Sequence, residues 1–198
     1  MGITFYFMLV LTGLSVWLFF RNVKGEKKPS VLAWLIITVT TAIALLSFLF
    51  NLGELNGDGL AKGALFFANS GASATIMARL IYLGEYNVKL TTFDKFSALA
   101  AMGILAYWFL FDDPLVANLC TQGLMVISYI LILERVFETK GVSDDHWFWM
   151  TALGMSLLSL VSINDGGQLL ETVNTWRSIV STGTVLGSIY FFKLRRTA

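Results

Sequence analysis

The sequence predicts an all-α membrane protein in which seven transmembrane helices form two parallel three-helix repeats joined by a linker helix. Three observations support this prediction. The chain of 198 residues is 56% hydrophobic and only 14% charged, whereas soluble domains carry about 25% charged residues. Seven apolar stretches approach the length of about 20 residues that a bilayer-spanning helix needs. Finally, residues 11–53 and 124–166 are similar to each other over their whole length.

The predicted helices follow one another with short polar breaks between them. Gly, Asn, Asp and both prolines fall in these breaks, where turn-forming residues are expected. The chain is therefore predicted to be one membrane domain, residues 1–198, with repeat 1 at about 3–83, the linker helix at about 95–111 and repeat 2 at about 114–192. The predicted helices are about 3–20, 31–50, 60–83, 95–111, 114–136, 147–163 and 169–192.

The internal repeat rests on polar and aromatic matches as well as apolar ones. A Ser-x3-Trp-x3-Thr pattern occurs in both copies, and an Asn-x-Gly pattern follows it in both. The copies begin four predicted helices apart, so they cross the membrane in the same direction. Transporters often contain such repeats and bind their substrate between them near mid-membrane. The matched pairs are Ser30/Ser143, Trp34/Trp147, Thr38/Thr151, Asn51/Asn164 and Gly53/Gly166.

The orientation follows from the distribution of Lys and Arg near the helix ends, because positively charged loops stay in the cytoplasm. Of the 14 Lys and Arg residues, all but Lys62 and Arg177 lie on the side that receives the C-terminus. The sequence therefore predicts an integral protein of a bacterial cytoplasmic membrane with its N-terminus outside. Arg177 is counted here as a charge at the outer ends of the helices.

Several other functions are disfavoured by composition. The net charge of +1 gives no basic surface for nucleic acid. One His and one Cys cannot form a metal cluster, and no phosphate-binding loop or nucleophile motif is present. The predicted last helix has no Lys before Lys193, which argues against a retinal protein. We therefore expect no catalytic residues, no metal and no cofactor.

Short motifs distributed along the chain suggest a family. They are Arg-x2-Lys-Gly-x-Lys-x-Pro-Ser-x3-Trp from Arg21 to Trp34, the segment from Gly84 to Asp94, Asp113-Pro114-Leu115, and a basic C-terminus. With the repeat, they resemble small bacterial seven-helix membrane proteins of the SWEET / PQ-loop type, an architecture that nicotinamide riboside transporters share. The Pro-Gln or Pro-Thr pairs of PQ-loop proteins are absent, and residues 17–20 and 130–133 stand in their places.

Candidate solute-binding residues are polar groups placed at membrane depth, where they are costly unless they face a cavity or another helix. Asn69 is the first, because the resemblance implies that an Asn on helix 3 contacts substrate; Thr182 is then its counterpart on helix 7. Asn118 and Gln122 lie one turn apart on helix 5, and Trp108 is expected in the wall. Interhelical hydrogen bonds and a small-residue packing seam on helix 3 are the structural alternatives.

Candidate gate residues come from the repeat itself. Trp34 and Trp147 begin helices 2 and 6 on the predicted cytoplasmic side, where they form a gate or anchor the helices at the membrane interface. Asn51 and Asn164 end the same helices and either take part in gating or cap the helix C-termini.

These observations lead to a functional hypothesis with one alternative. The absence of predicted mid-membrane charges favours a facilitative transporter or binder of a small neutral polar solute, of the sugar, nucleoside or vitamin class. The alternative is a non-transporting membrane subunit or receptor-like bundle with a SWEET-like fold. The expected partners are a small-molecule solute and the lipid bilayer, together with a homo-oligomer or a larger membrane complex; no nucleic acid is expected.

Overall fold

The computed structural model describes residues 3–22, 29–51, 64–84, 91–110, 114–142, 145–164 and 169–197. These residues form seven α-helices and no strand, which confirms the predicted number of helices and the all-α composition. The helices are α1 (Ile3–Asn22), α2 (Val31–Asn51), α3 (Ala64–Tyr82), α4 (Thr92–Leu110), α5 (Pro114–Glu138), α6 (His146–Asn164) and α7 (Leu169–Thr197).

Most helix starts carry a residue that satisfies the free N–H groups of the first turn. Ser30 accepts a hydrogen bond from the backbone N–H of residue 33 at 3.3 Å, at the start of α2. At the start of α4, Thr91 and Asp94 form a reciprocal capping pair at 2.8 and 3.0 Å. Asp145 caps α6, and Pro114, which has no N–H to satisfy, is the first residue of α5.

Two helix ends depend on left-handed backbone conformations, as is common at C-termini. Gly84 has a φ of 71° just after α3. After α5, Lys140 and Gly141 have φ angles of 52° and 79°, and the Gly141 N–H donates to the Val136 carbonyl at 2.7 Å. A Cβ at Gly141 would lie 3.4 Å from Phe192, so glycine also lets this turn approach α7 closely.

The helices pack in a pattern that groups them around one core. Helix α3 packs against α1 and α2, and α7 packs against α5 and α6. Two further contacts, α1 with α6 and α2 with α5, join these groups, and α4 packs mainly on α5. The main apolar core, which includes Ile76, Leu80, Leu131, Val136 and Val185, fills the space between them.

Small hydroxyl residues line the contacts between neighbouring helices. Ser15 of α1 donates to Thr151 of α6 at 2.6 Å. The contact between α6 and α7 contains Ser156–Ser178 at 2.7 Å and a second hydroxyl pair at 3.0 Å. Such residues let two helices approach closely while their hydroxyl groups stay bonded.

The outward-facing surface of the helices is rich in apolar side chains. Exposed residues such as Val10, Phe96, Leu99, Leu110 and Val180 are more than half accessible. Within the described parts of the chain, one helical segment, Leu119–Glu138, is both long and apolar enough to cross a membrane. Shorter apolar helical segments are Tyr6–Arg21, Val31–Leu46 and His146–Val161.

Candidate functional site

A small cavity lies between α2, α3, α5 and α7. Its volume is about 10 Å³, which is room for about one water molecule. Polar side chains converge on it from all four helices, and Ala44, Phe66 and Met125 supply apolar wall. The polar residues are Thr40 and Thr41 of α2, Asn69 of α3, Thr121 and Gln122 of α5, and Asn174 and Arg177 of α7.

Among the described residues that line the cavity, Arg177 is the one that carries a charge. It lies eight residues after the first residue of α7, which is roughly 12 Å along the helix axis. Its Nε donates to Gln122 Oε1 at 2.5 Å, and its Nη2 donates to Asn174 Oδ1 at 2.7 Å. Its Cζ lies 6.0 Å from the centre of the Tyr129 ring, at the outer limit of a cation–π contact.

These contacts orient the two amides. A guanidinium group only donates hydrogen bonds, so the oxygens of Gln122 and Asn174 must face Arg177 and their NH₂ groups must point away from it. Gln122 is on α5 and Asn174 is one turn from Arg177 on α7. The arginine therefore links α5 to α7 and is held in one position by both.

Two buried polar atoms at the cavity have no hydrogen-bond partner among the described residues. They are Nη1 of Arg177 and Oγ1 of Thr40, and Thr40 is only 1% exposed. A buried donor without a partner costs about 1–3 kcal/mol. The site therefore contains hydrogen-bonding capacity that the described part of the protein does not use.

The neighbouring hydroxyl, Thr41, is fully bonded. It lies 2.8 Å from Ser73 Oγ of α3 and donates to the Ile37 carbonyl at 2.8 Å. Thr38, one turn before Thr41, donates to the Ser73 carbonyl at 3.1 Å. Thr38, Thr41 and Ser73 thus hold α2 to α3, whereas Thr40 does not take part in this contact.

The predicted solute-binding residues divide into three groups. Asn69 and Gln122 line the cavity. Thr182 does not line it; it is 2% exposed and donates to the Ser178 carbonyl one turn earlier in α7. The side chains of Asn118 and Trp108 lie outside the described residues, although both positions are helical, in α5 and α4.

The predicted gate residues also differ in their surroundings. Trp34 is buried and packs edge-to-face with Phe19 and Phe148, with ring centres 5.4 and 5.7 Å away. Trp147 is 53% exposed, so the residue that the sequence pairs with Trp34 is outside this aromatic cluster, and Phe148 occupies the inner position. Asn51 and Asn164 are the last residues of α2 and α6, and their side chains lie outside the described residues.

The aromatic cluster of Phe19, Trp34 and Phe148 lies away from the cavity along the bundle. On α2, Trp34 precedes Thr40 by six residues, or roughly 9 Å of helix. The cluster is on the side where α2 begins. It closes the space between α1, α2 and α6 with aromatic rings. Its one polar group is the Trp34 indole N–H, which is buried without a partner among the described residues.

Sequence reasoning missed five of the seven polar cavity residues, namely Thr40, Thr41, Thr121, Asn174 and Arg177. Arg177 was counted with the outer charges, and this assignment is wrong, because its guanidinium group lies inside the bundle. A usable signal was present: Asn174 and Arg177 are three residues apart and therefore share a helix face. Thr40 could not be distinguished from Thr38 and Thr41 without knowledge of the α2–α3 contact.

The described residues contain no group of three or more His, Cys, Asp or Glu side chains that could hold a metal ion. His146 is paired with Asp145, with Nδ1 and Oδ1 3.7 Å apart, and lies at the start of α6. The cavity therefore offers amides, hydroxyls and one guanidinium group, a set suited to binding a ligand.

No protein-family model matches the chain, and neither a curated protein nor a solved structure matches it.

The contrast between Thr40 and Thr41 gives a test of the site. Replacing Thr40 with Val removes a buried hydroxyl that has no partner among the described residues, so we expect unchanged or higher stability. Replacing Thr41 with Val removes the bond to Ser73, and we expect a loss of about 1–2 kcal/mol. The measurement is the free energy of unfolding of the purified protein in a detergent titration. Equal losses in both variants would show that Thr40 has a partner.

Proposed function

We propose that this protein is an integral membrane protein that binds a small polar solute between two three-helix repeats and carries it across the bilayer. The observation that carries the proposal is the cavity between α2, α3, α5 and α7, where amide, hydroxyl and guanidinium groups from four helices converge. Ligand sites typically place a few polar groups in apolar walls.

The exposed surface supports a membrane location. Soluble proteins rarely expose large contiguous apolar patches, whereas here apolar side chains face outward on every helix from α1 to α7. The strongly uneven distribution of Lys and Arg supports an N-terminus outside and a cytoplasmic C-terminus. A bacterial cytoplasmic membrane remains the location that the sequence favours.

The packing pattern supports two repeats with α4 as the linker. Exchanging α1, α2 and α3 for α5, α6 and α7 converts each principal contact among these six helices into another that is also present, whereas α4 packs mainly on α5. The contacts of α3 with α1 and α2 become those of α7 with α5 and α6, and the contact of α1 with α6 becomes that of α5 with α2. A pseudo-two-fold relation produces this pattern, and the resemblance to SWEET / PQ-loop proteins implies the same architecture.

The cavity receives residues from both proposed repeats. Asn69 and Arg177 come from the third helices, α3 and α7, and Thr40 and Gln122 come from α2 and α5. In this arrangement the counterpart of Asn69 on α7 is Arg177, together with Asn174, rather than Thr182. The aromatic cluster then lies between the cavity and the proposed cytoplasmic side, where it acts as a closed gate.

Solute binding is tested by substitution of Asn69, whose side chain reaches the cavity. The purified protein is screened by thermal shift against sugars, nucleosides, vitamins, amino acids and small carboxylic acids, because a ligand of the folded state raises its stability. We expect Asn69→Ala to lower affinity for the solute found by about tenfold and to reduce its uptake into proteoliposomes. Thr75→Ala, at an exposed position of α3, is the matched control and should behave as the unaltered protein.

Two outcomes would contradict the proposal. Absence of any stabilising solute would favour the non-transporting subunit or receptor-like bundle. Normal binding and uptake by Asn69→Ala would show that the solute does not use this cavity.

The topology is tested with reporter fusions. A reporter placed after Ala198 is expected in the cytoplasm, and one inserted between Asp112 and Asp113 is expected outside, because an odd number of spans separates these two points. Activity of both reporters on the same side, or the reverse pattern, would contradict the proposed orientation. Paired fluorescent and alkaline phosphatase fusions at each position provide internal controls.

A further inference from the structure

We propose that the solute is a short monocarboxylate whose carboxylate group binds Nη1 of Arg177 and the hydroxyl of Thr40. This inference rests on the proposed function, since it names the chemical class of the solute for the same cavity. It replaces the neutral solute expected from the sequence, because that expectation depended on the absence of charge inside the bundle.

The unused hydrogen-bond donors at the cavity define what the ligand must accept. Nε and Nη2 of Arg177 are already bonded to Gln122 and Asn174. The remaining nitrogen, Nη1, carries two N–H groups and is buried without a partner among the described residues, as is the hydroxyl of Thr40. A carboxylate accepts at two oxygens, so it supplies an acceptor for each of these two groups, which line the same cavity.

The charge of the cavity defines the charge of the ligand. An arginine stays protonated in proteins, and among the described residues that line the cavity none carries a negative charge. An uncompensated charge inside a bundle is costly. One negative charge on the ligand balances Arg177, whereas a neutral solute leaves it unbalanced and a doubly charged phosphate exceeds it.

The apolar part of the cavity wall and the small cavity volume indicate what kind of group is attached to the carboxylate of the ligand. Beside the polar groups, Ala44, Phe66 and Met125 offer apolar surface, which suits a short hydrocarbon chain. The volume of about 10 Å³ admits only a small group unless side chains move, and the flexible Met125 can move at low cost. Asn69 is placed to bond a hydroxyl or carbonyl group on the same chain.

The test compares acids with their neutral amides, because the two differ mainly in charge at one group. The purified full-length protein in lipid nanodiscs is titrated with propionate, propionamide, lactate, lactamide and inorganic phosphate, and Kd and the thermal-unfolding midpoint are measured. We expect the acids to bind at least about tenfold more tightly than their amides, as loss of a charge-assisted hydrogen bond predicts. We also expect phosphate to bind more weakly than the acids.

Two variants locate the binding. Arg177→Gln should remove the preference for acids over amides. If that variant does not fold, Thr40→Val provides the same test, since it is expected to fold and should weaken acid binding by about tenfold. Thr184→Val is the control, because the Thr184 hydroxyl is exposed on α7 and bonded to the Val180 carbonyl.

The outcomes separate this inference from the proposed function. Binding of amides as tight as that of acids, or of phosphate alone, would overturn the carboxylate assignment and leave solute binding in place. Unchanged acid binding in Thr40→Val would show that acids bind elsewhere and would also overturn it. If neither the acids nor any solute class in the wider screen binds, the proposed function itself is wrong.

Discussion

A buried arginine is the constraint on which the organisation of this bundle depends. Arg177 cannot release its proton inside a protein, and the other described residues that line its cavity are apolar or uncharged. Two amides, Gln122 and Asn174, accept its Nε and Nη2 hydrogen bonds, and the Tyr129 ring lies near its face. These contacts fix α5 relative to α7 and leave one edge of the guanidinium group directed to the cavity.

The neighbouring helices are joined by interactions that do not compete with this site. Hydroxyl pairs such as Thr41–Ser73 and Ser156–Ser178 hold α2 to α3 and α6 to α7. The edge-to-face contacts of Phe19, Trp34 and Phe148 hold α1, α2 and α6 together. These hydroxyl pairs are bonded within the protein, whereas Nη1 of Arg177 and Oγ1 of Thr40 at the cavity have no partner among the described residues. Trp34 Nε1 and Arg79 Nε are also buried without a described partner, but these residues do not line the cavity. Free polar groups that face a cavity are what a preformed binding site requires.

Much of the fold was predictable because long apolar runs separated by turn residues determine the helices almost directly. The predicted and observed spans agree closely for α2 and α6, and α7 extends beyond its prediction, to Thr197, because its basic last turn is also helical.

The site was predictable where a polar residue stands alone in an apolar run, as with Asn69 and Gln122. The site was not predictable where the exact position of a residue along its helix determines which way the side chain faces, because a step of one residue turns the side chain by about 100° around the helix axis. For this reason Phe148 faces inward and Trp147 faces outward. Arg177 was missed because its positive charge suggested a place at the outer helix end, whereas it lies eight residues after the first residue of α7.

The most direct measurement is a high-resolution structure of the protein in lipid nanodiscs, determined with and without saturating lactate. We expect one carboxylate oxygen of lactate to lie about 2.7–2.9 Å from Nη1 of Arg177 and the other to accept a hydrogen bond from the Thr40 hydroxyl. A carboxylate of the protein itself bonded to Nη1 in both structures would contradict the account, because the charge of Arg177 would then be balanced without a ligand.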